Sequence, residues 1–114
     1  MDPQDIPPIS KVDIEAKCEE IDEPWSPVNL ATVNDQVVRM ALFQGEYHWH
    51  RHEEDELFYV YRGKVTIRIR GHPDVVLGPG EMAVVPRNVE HRPESVGPSY
   101  VLMFEPLQLR SKGD

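Results

Sequence analysis

The sequence holds a single cysteine, Cys18, among its 114 residues. One thiol excludes an intrachain disulfide and suits a reducing compartment, so a cytoplasmic protein is expected. Basic residues are also scarce, with 12 Lys and Arg against 20 Asp and Glu and a formal net charge of -8. That surplus repels phosphate backbones and anionic bilayers, which argues against nucleic-acid and membrane partners. Long apolar runs are missing, and none approaches the ~20 residues that span a bilayer. The opening Met1-Asp2-Pro3-Gln4-Asp5 is acidic where a signal peptide is basic, so no secretory leader is expected. No internal repeat suggests a solenoid, and no helix-turn-helix segment suggests a DNA-binding regulator.

A chain of this length builds one domain around one core. Its 11 prolines and 7 glycines are scattered singly, as turns between many short strands would require. Residues 1–24 read as an N-terminal arm with a short helix over Ser10–Asp22, capped by Ser10, with Val12, Ala16 and Ile21 on one stripe. Pro24 and Pro27, around Trp25, end it. Residues 25–109 read as β-structure and 110–114 as a tail. The expected strands are Val28–Val33, Gln36–Gln44, Tyr47–His50, Glu56–Arg62, Lys64–Arg70, Val75–Leu77, Met82–Val85 and Ser99–Glu105. The cleanest alternation is Val65, Ile67 and Ile69 against Lys64, Thr66, Arg68 and Arg70. Strands at this spacing with no helix between them point to an all-β antiparallel sandwich or barrel.

Chemistry concentrates in the histidines. His48, His50 and His52 recur with period two, and Glu56 follows. Alternate strand residues point the same way about 6.6 Å apart, close enough for two imidazoles to share an ion. His48 and His52 would lie twice as far apart, so only one adjacent pair serves. If His50 and His52 end one strand and Glu56 starts the next, two nitrogens and a carboxylate converge, and His91 is available as a fourth donor. The rival set His48, His50 and Glu54 has the same internal gaps. Three imidazoles with one carboxylate suit Mn, Fe, Ni, Cu or Zn and poorly suit calcium or magnesium. Phe58 and Val60 share parity with Glu56, so they are expected to line a pocket with His48, Met40 and Met103; Arg39, Leu42 and Phe104 are further candidates. His72 reads as an exposed turn residue, and Cys18 as a small buried hydrophobe. Leu57, Tyr59 and Tyr61 would face outward and need a cover, either the N-terminal segment or a second subunit.

His50-Arg51-His52, three residues, Glu56, six residues and Gly63 resemble the first motif of the cupin family. Gly80, five residues, Pro86, one residue, Asn88, two residues and His91 resemble the second. Asp55 to Val60 and Leu77 to Glu81 are also similar to small single-domain cupins, and the likeness runs from about Trp25 to Glu105. It implies a cupin jelly-roll β-barrel of six to eight strands with a metal ion inside. Its ligands would be His50, His52, Glu56 and His91. It also implies a homodimer and a small-molecule substrate or ligand, with an oxygenase or isomerase as the enzyme type. Non-catalytic ligand binding is the alternative. Two departures stand out. Asn88 replaces a glycine, and Asn is the residue after glycine best able to turn left-handed. Gly45 precedes His50 by one residue fewer than the common pattern. No cluster of arginines supports a phosphorylated sugar as substrate.

Overall fold

The short apolar segments form strands, several of which bury one face in a shared interior. In the computed structural model, which describes residues 2–108, these are β1 (Val28–Val33), β2 (Gln36–Glu46), β3 (Glu56–Arg62), β4 (Val65–Ile69), β5 (His72–Leu77), β6 (Met82–Val85) and β7 (His91–Pro106). All pair antiparallel, in the order β1-β2-β7-β3-β6, with β4 joined to β5 and β7.

Strand β7 makes the shell. Its first half pairs with β4, Arg92 opposite Arg68, and its second half lies between β2 and β3, with Met103 opposite both Arg39 and Phe58. The exposed Val96-Gly97-Pro98 step separates the halves, so one strand serves two layers. Ala41, Phe43, Phe58, Val60, Val65, Ile67, Leu77, Val85, Val101 and Met103 fill the space between them. Burial of a side chain of this size contributes about 1.5–3 kcal/mol. An all-β barrel-like fold with a short helix is therefore the architecture.

The helix α1 covers Ile14–Glu20, shorter than Ser10–Asp22. Its N-cap is Asp13, whose carboxylate accepts from the Ala16 N–H at 3.1 Å. Asp13 thus satisfies an orphan amide, the role the sequence assigned to Ser10. Cys18 and Ile21 bury against Met40 and Leu42 on the outer face of β2, beside Tyr61, Tyr100 and Leu102. The Tyr61 hydroxyl donates to Glu15 at 2.6 Å, and Arg62 pairs with the same carboxylate. The N-terminal segment therefore covers the Tyr61 end of the outer face. Phe104, Met82 and Val84 remain exposed farther along it.

Two further expectations are corrected. Tyr47–His50 is no strand; only His50 makes a bridge, to His91. Strand β7 begins at His91 rather than Ser99, because its first half finds a partner in β4. The 110–114 tail lies outside the described residues.

The β3–β4 turn fixes the β7 corner. Gly63 has φ 99°, and a Cβ there would stand 2.2 Å from Ser99 Oγ and 2.7 Å from Ser99 Cα. Ser99 Oγ accepts from the Lys64 N–H at 2.9 Å and lies 2.7 Å from Ser95 Oγ. Gly63→Ala is expected to cost about 2–5 kcal/mol, combining a left-handed side chain with overpacking. Urea unfolding of the variant checks this; an unchanged midpoint would refute the packing.

Candidate metal centre

Two irregular segments deliver the chemistry, and the backbone holds them together. The His50 N–H donates to the His91 carbonyl at 3.0 Å, and the His91 N–H returns to the His50 carbonyl at 2.9 Å. One step further, the Asn88 N–H donates to the His52 carbonyl at 2.7 Å, and the Arg87 N–H to the Asp55 carboxylate at 2.8 Å. Asn88 sits at φ 62°, the left-handed conformation that glycine normally supplies. Glu56 opens β3 opposite Val85 of β6.

The result is one cluster. His50, His52, Glu56 and His91 each present a donor atom, and these atoms all lie within 4.8 Å of one another. All four side chains are buried. Glu56 Oε1 stands 3.6 Å from His52 Nε2 and 3.9 Å from His91 Nε2. A first-row ion with bonds of ~2.1 Å spaces its donors roughly 3–4 Å apart, so a contraction on the order of 1 Å closes the set.

The ring tautomers fit that use. His50 Nδ1 lies 3.0 Å from the His48 carbonyl and His91 Nδ1 lies 2.8 Å from the Val89 carbonyl. A carbonyl only accepts, so each Nδ1 carries the proton and each Nε2 keeps a lone pair. His91 Nε2 is buried with no hydrogen-bond partner among the described residues. Burial lowers the His91 pKa, opposed by the Val89 hydrogen bond and helped by the charge of His52. The ring is therefore held as the neutral donor that metals require. A buried lone pair without a proton donor is costly in a structural cluster and apt in a metal site.

A charged layer lies behind the cluster. Glu56 faces Glu105, and Glu105 is paired with Arg39. Arg39 also donates to Asn29 at 2.8 Å and to the Leu107 carbonyl at 3.0 Å, tying β2 to β1 and to the chain after β7. Burial first, then the hydrogen bond and charge of Glu105, push Glu56 up to about 10 against the opposing pull of Arg39. With both carboxylates ionised, neither Oε2 has a donor; one shared proton satisfies both.

Beside the cluster is a cavity of about 20 Å³, room for roughly one water. Phe58 and Met103 line it with His50 and Glu56. Val60 lies in the core cluster instead. Met40 points the other way, against α1, because the inward residues of β2 are Val37, Arg39, Ala41 and Phe43. His48 is exposed, its ring 5.3 Å from that of His50, and Glu54 is exposed as well, so the rival set is not brought together. Leu42 packs with Met40, Phe104 is outward, and His72 is exposed. The sequence reading missed Trp25 and Phe43 as lining residues and Glu105 behind them. Only the inward parity of β2 could have flagged Phe43.

Comparison with known proteins agrees with this geometry. A family model described as a cupin domain matches residues 36–105. An uncharacterised protein of Bacillus subtilis (strain 168), YdbB, is 36% identical over 77 residues, covering 67% of this chain and 68% of that protein. The crystal structure of a cupin-2 domain protein from Shewanella frigidimarina is 32% identical with a TM-score of 0.80, covering 83% of this chain and 93% of the other. A hydroquinone 1,2-dioxygenase from Sphingomonas sp. TTNP3 is 17% identical with a TM-score of 0.70, covering 82% and 69%, a likeness of fold alone. The chain belongs to the cupin-domain family, and its barrel carries a His-His-Glu-His group that could hold a metal ion.

Proposed function

We propose that the protein is a metal-dependent enzyme acting on a small molecule. It holds one divalent ion, Fe, Mn, Ni, Zn or Cu, on His50, His52, Glu56 and His91. The observation that carries this reading is the convergence of four buried donors, with His91 presenting a buried lone pair that no proton donor meets. When bound, such an ion supplies Lewis acidity or, if redox-active, reactivity toward dioxygen. The chain's own residues orient the donors through Nδ1 hydrogen bonds and exclude bulk water through the aromatic and aliphatic lining.

Of the two enzyme types, the oxygenase is favoured over the isomerase. Among the described residues no Lys or Arg lines the cavity to hold a phosphorylated sugar, and Glu56 is the only carboxylate in it. The lack of a second carboxylate among the described lining residues supports a non-catalytic ligand-binding module as the alternative. Metal-loaded protein in an oxygen electrode with a panel of small metabolites separates them. Dioxygen consumption coupled to one compound supports the oxygenase. Saturable binding without consumption or conversion overturns it in favour of the module.

We further assign a homodimer to the outer sheet face. Phe104 lies between Val38 and Leu57, and Leu57 is opposite Val84; the next row runs Met40, Leu102, Tyr59, Met82. Helix α1 covers only part of these rows, and Phe104, Met82 and Val84 stay exposed. Tyr59→Glu should move the light-scattering mass toward the monomer; an unchanged mass defeats this interface.

A further inference from the structure

One wall of the cavity comes from the segment before the first strand, where half-buried Trp25 packs against the core. Trp25 sits between α1 and β1 on a strap stiffened by Pro24 and Pro27. Its indole stacks on Phe43 at 4.5 Å and on Tyr47 at 4.8 Å between ring centroids, with interplanar angles of 32° and 31°. The Tyr47 ring in turn meets His50 edge-on at 5.2 Å. An unbroken aromatic path therefore runs from Trp25 to the candidate metal centre.

Two observations make Trp25 a movable occupant rather than a fixed wall. First, a space of about 20 Å³ beside His50 and Glu56 admits no organic molecule until a lining group moves. Second, Trp25 holds φ 61°, a left-handed conformation disfavoured for a bulky residue. Its indole is anchored by one hydrogen bond, Nε1–H to the Gln44 carbonyl at 3.0 Å, and its backbone by one to Leu42 at 2.9 Å.

We propose that Trp25 is a built-in stand-in for the ligand: a small, flat aromatic molecule displaces the indole and stacks in its slot between Phe43 and Tyr47. Flat aromatic contacts are what the slot already rewards, and the incoming ring recovers them at offset-stacking distance. A hydroxyl on the ring is compatible, because the inner end of the slot offers the polar groups of His50 and Glu56. The proposal rests on the metal-centre reading for what the ring is presented to, and on the aromatic packing alone for the slot.

The test uses phenol as the probe and cyclohexanol as a non-planar control. The chain has two tryptophans, so Trp49→Phe leaves Trp25 as the sole indole in an otherwise complete, Mn(II)-loaded protein. Phenol should red-shift the Trp25 emission saturably and expose it to acrylamide, with cyclohexanol at least about tenfold weaker. By calorimetry, Trp25→Ala should bind phenol about tenfold more tightly, since no indole must leave. Should that variant fail to fold, the emission measurement decides alone. Phenol binding without an emission change, equal affinity for cyclohexanol, or no phenol binding overturns the proposal. Repeating the titration after chelation separates the two readings: a missing metal with an intact emission shift sinks the metal centre only, and a bound metal without the shift sinks the slot only.

Discussion

His91→Ala, purified without a metal-affinity tag, should retain less than about a tenth of the metal per chain found in the parent protein. Elemental analysis reads this directly, and His72→Ala, altered at an exposed position, should keep the full amount. The expected size follows from the donor set. Altering even an outer partner of a ligand lowers metal affinity 10–100-fold, so deleting a direct ligand should exceed about 100-fold. Folding should survive, because His91 is tied to His50 through backbone groups that alanine keeps. Removing the imidazole also deletes a buried lone pair with no donor, which lowers the cost of the metal-free state. Equal metal in His91→Ala and His72→Ala would end the ligand assignment, whatever the fold.

Much of this centre was legible because its geometry is local. A hairpin turn separates His52 from Glu56, and the Gly80 to His91 spacing places a second turn against it, so sequence distance stands in for spatial distance. Strand β4 was equally plain, since Val65 and Ile67 are buried while its other face meets solvent and ion pairs. Strand β2 was not. Helix α1 covers its outer face, so Val37, Met40, Ala41, Leu42 and Phe43 are all buried and no period of two survives. A bulge between Phe43 and Gly45 then breaks the count toward the histidines. Hence Met40 was placed on the wrong face. Trp25 read as a linker residue because its partners, Phe43 and Tyr47, lie some twenty positions away. The pairing of Arg39 with Glu105 depends on β2 and β7 lying side by side, with Val37 opposite Glu105. No local pattern encodes that register.

The buried carboxyl pair yields the second large effect, seen when the metal is removed. Burial, then the hydrogen bond and charge of Glu105, push the Glu56 carboxyl of the metal-free chain up to about 10 from an ordinary 4.5. A carboxyl whose folded value is raised contributes stability that is fully present below about 4.5 and is lost as pH rises through about 10. Across that window the loss approaches about 1.4 kcal/mol per pH unit for one proton. Chelated wild type should therefore melt progressively lower between pH 5 and 9 (about four units of that window). Glu56→Gln should not share this slope. Its amide stays neutral and can donate to Glu105, replacing the shared proton at nearly the same volume. The lowered His91 works in the opposite direction, its stability falling as pH drops through the histidine range, but both proteins contain it and the difference between them cancels it. Thermal unfolding of the two chelated proteins across this range gives the difference curve. A downward slope assigned to wild type alone shows that burial and Glu105 hold Glu56 protonated until an ion takes the proton's place. Parallel curves would mean that Glu56 is already ionised beside Glu105, and the account of how the site trades a proton for a metal would fail.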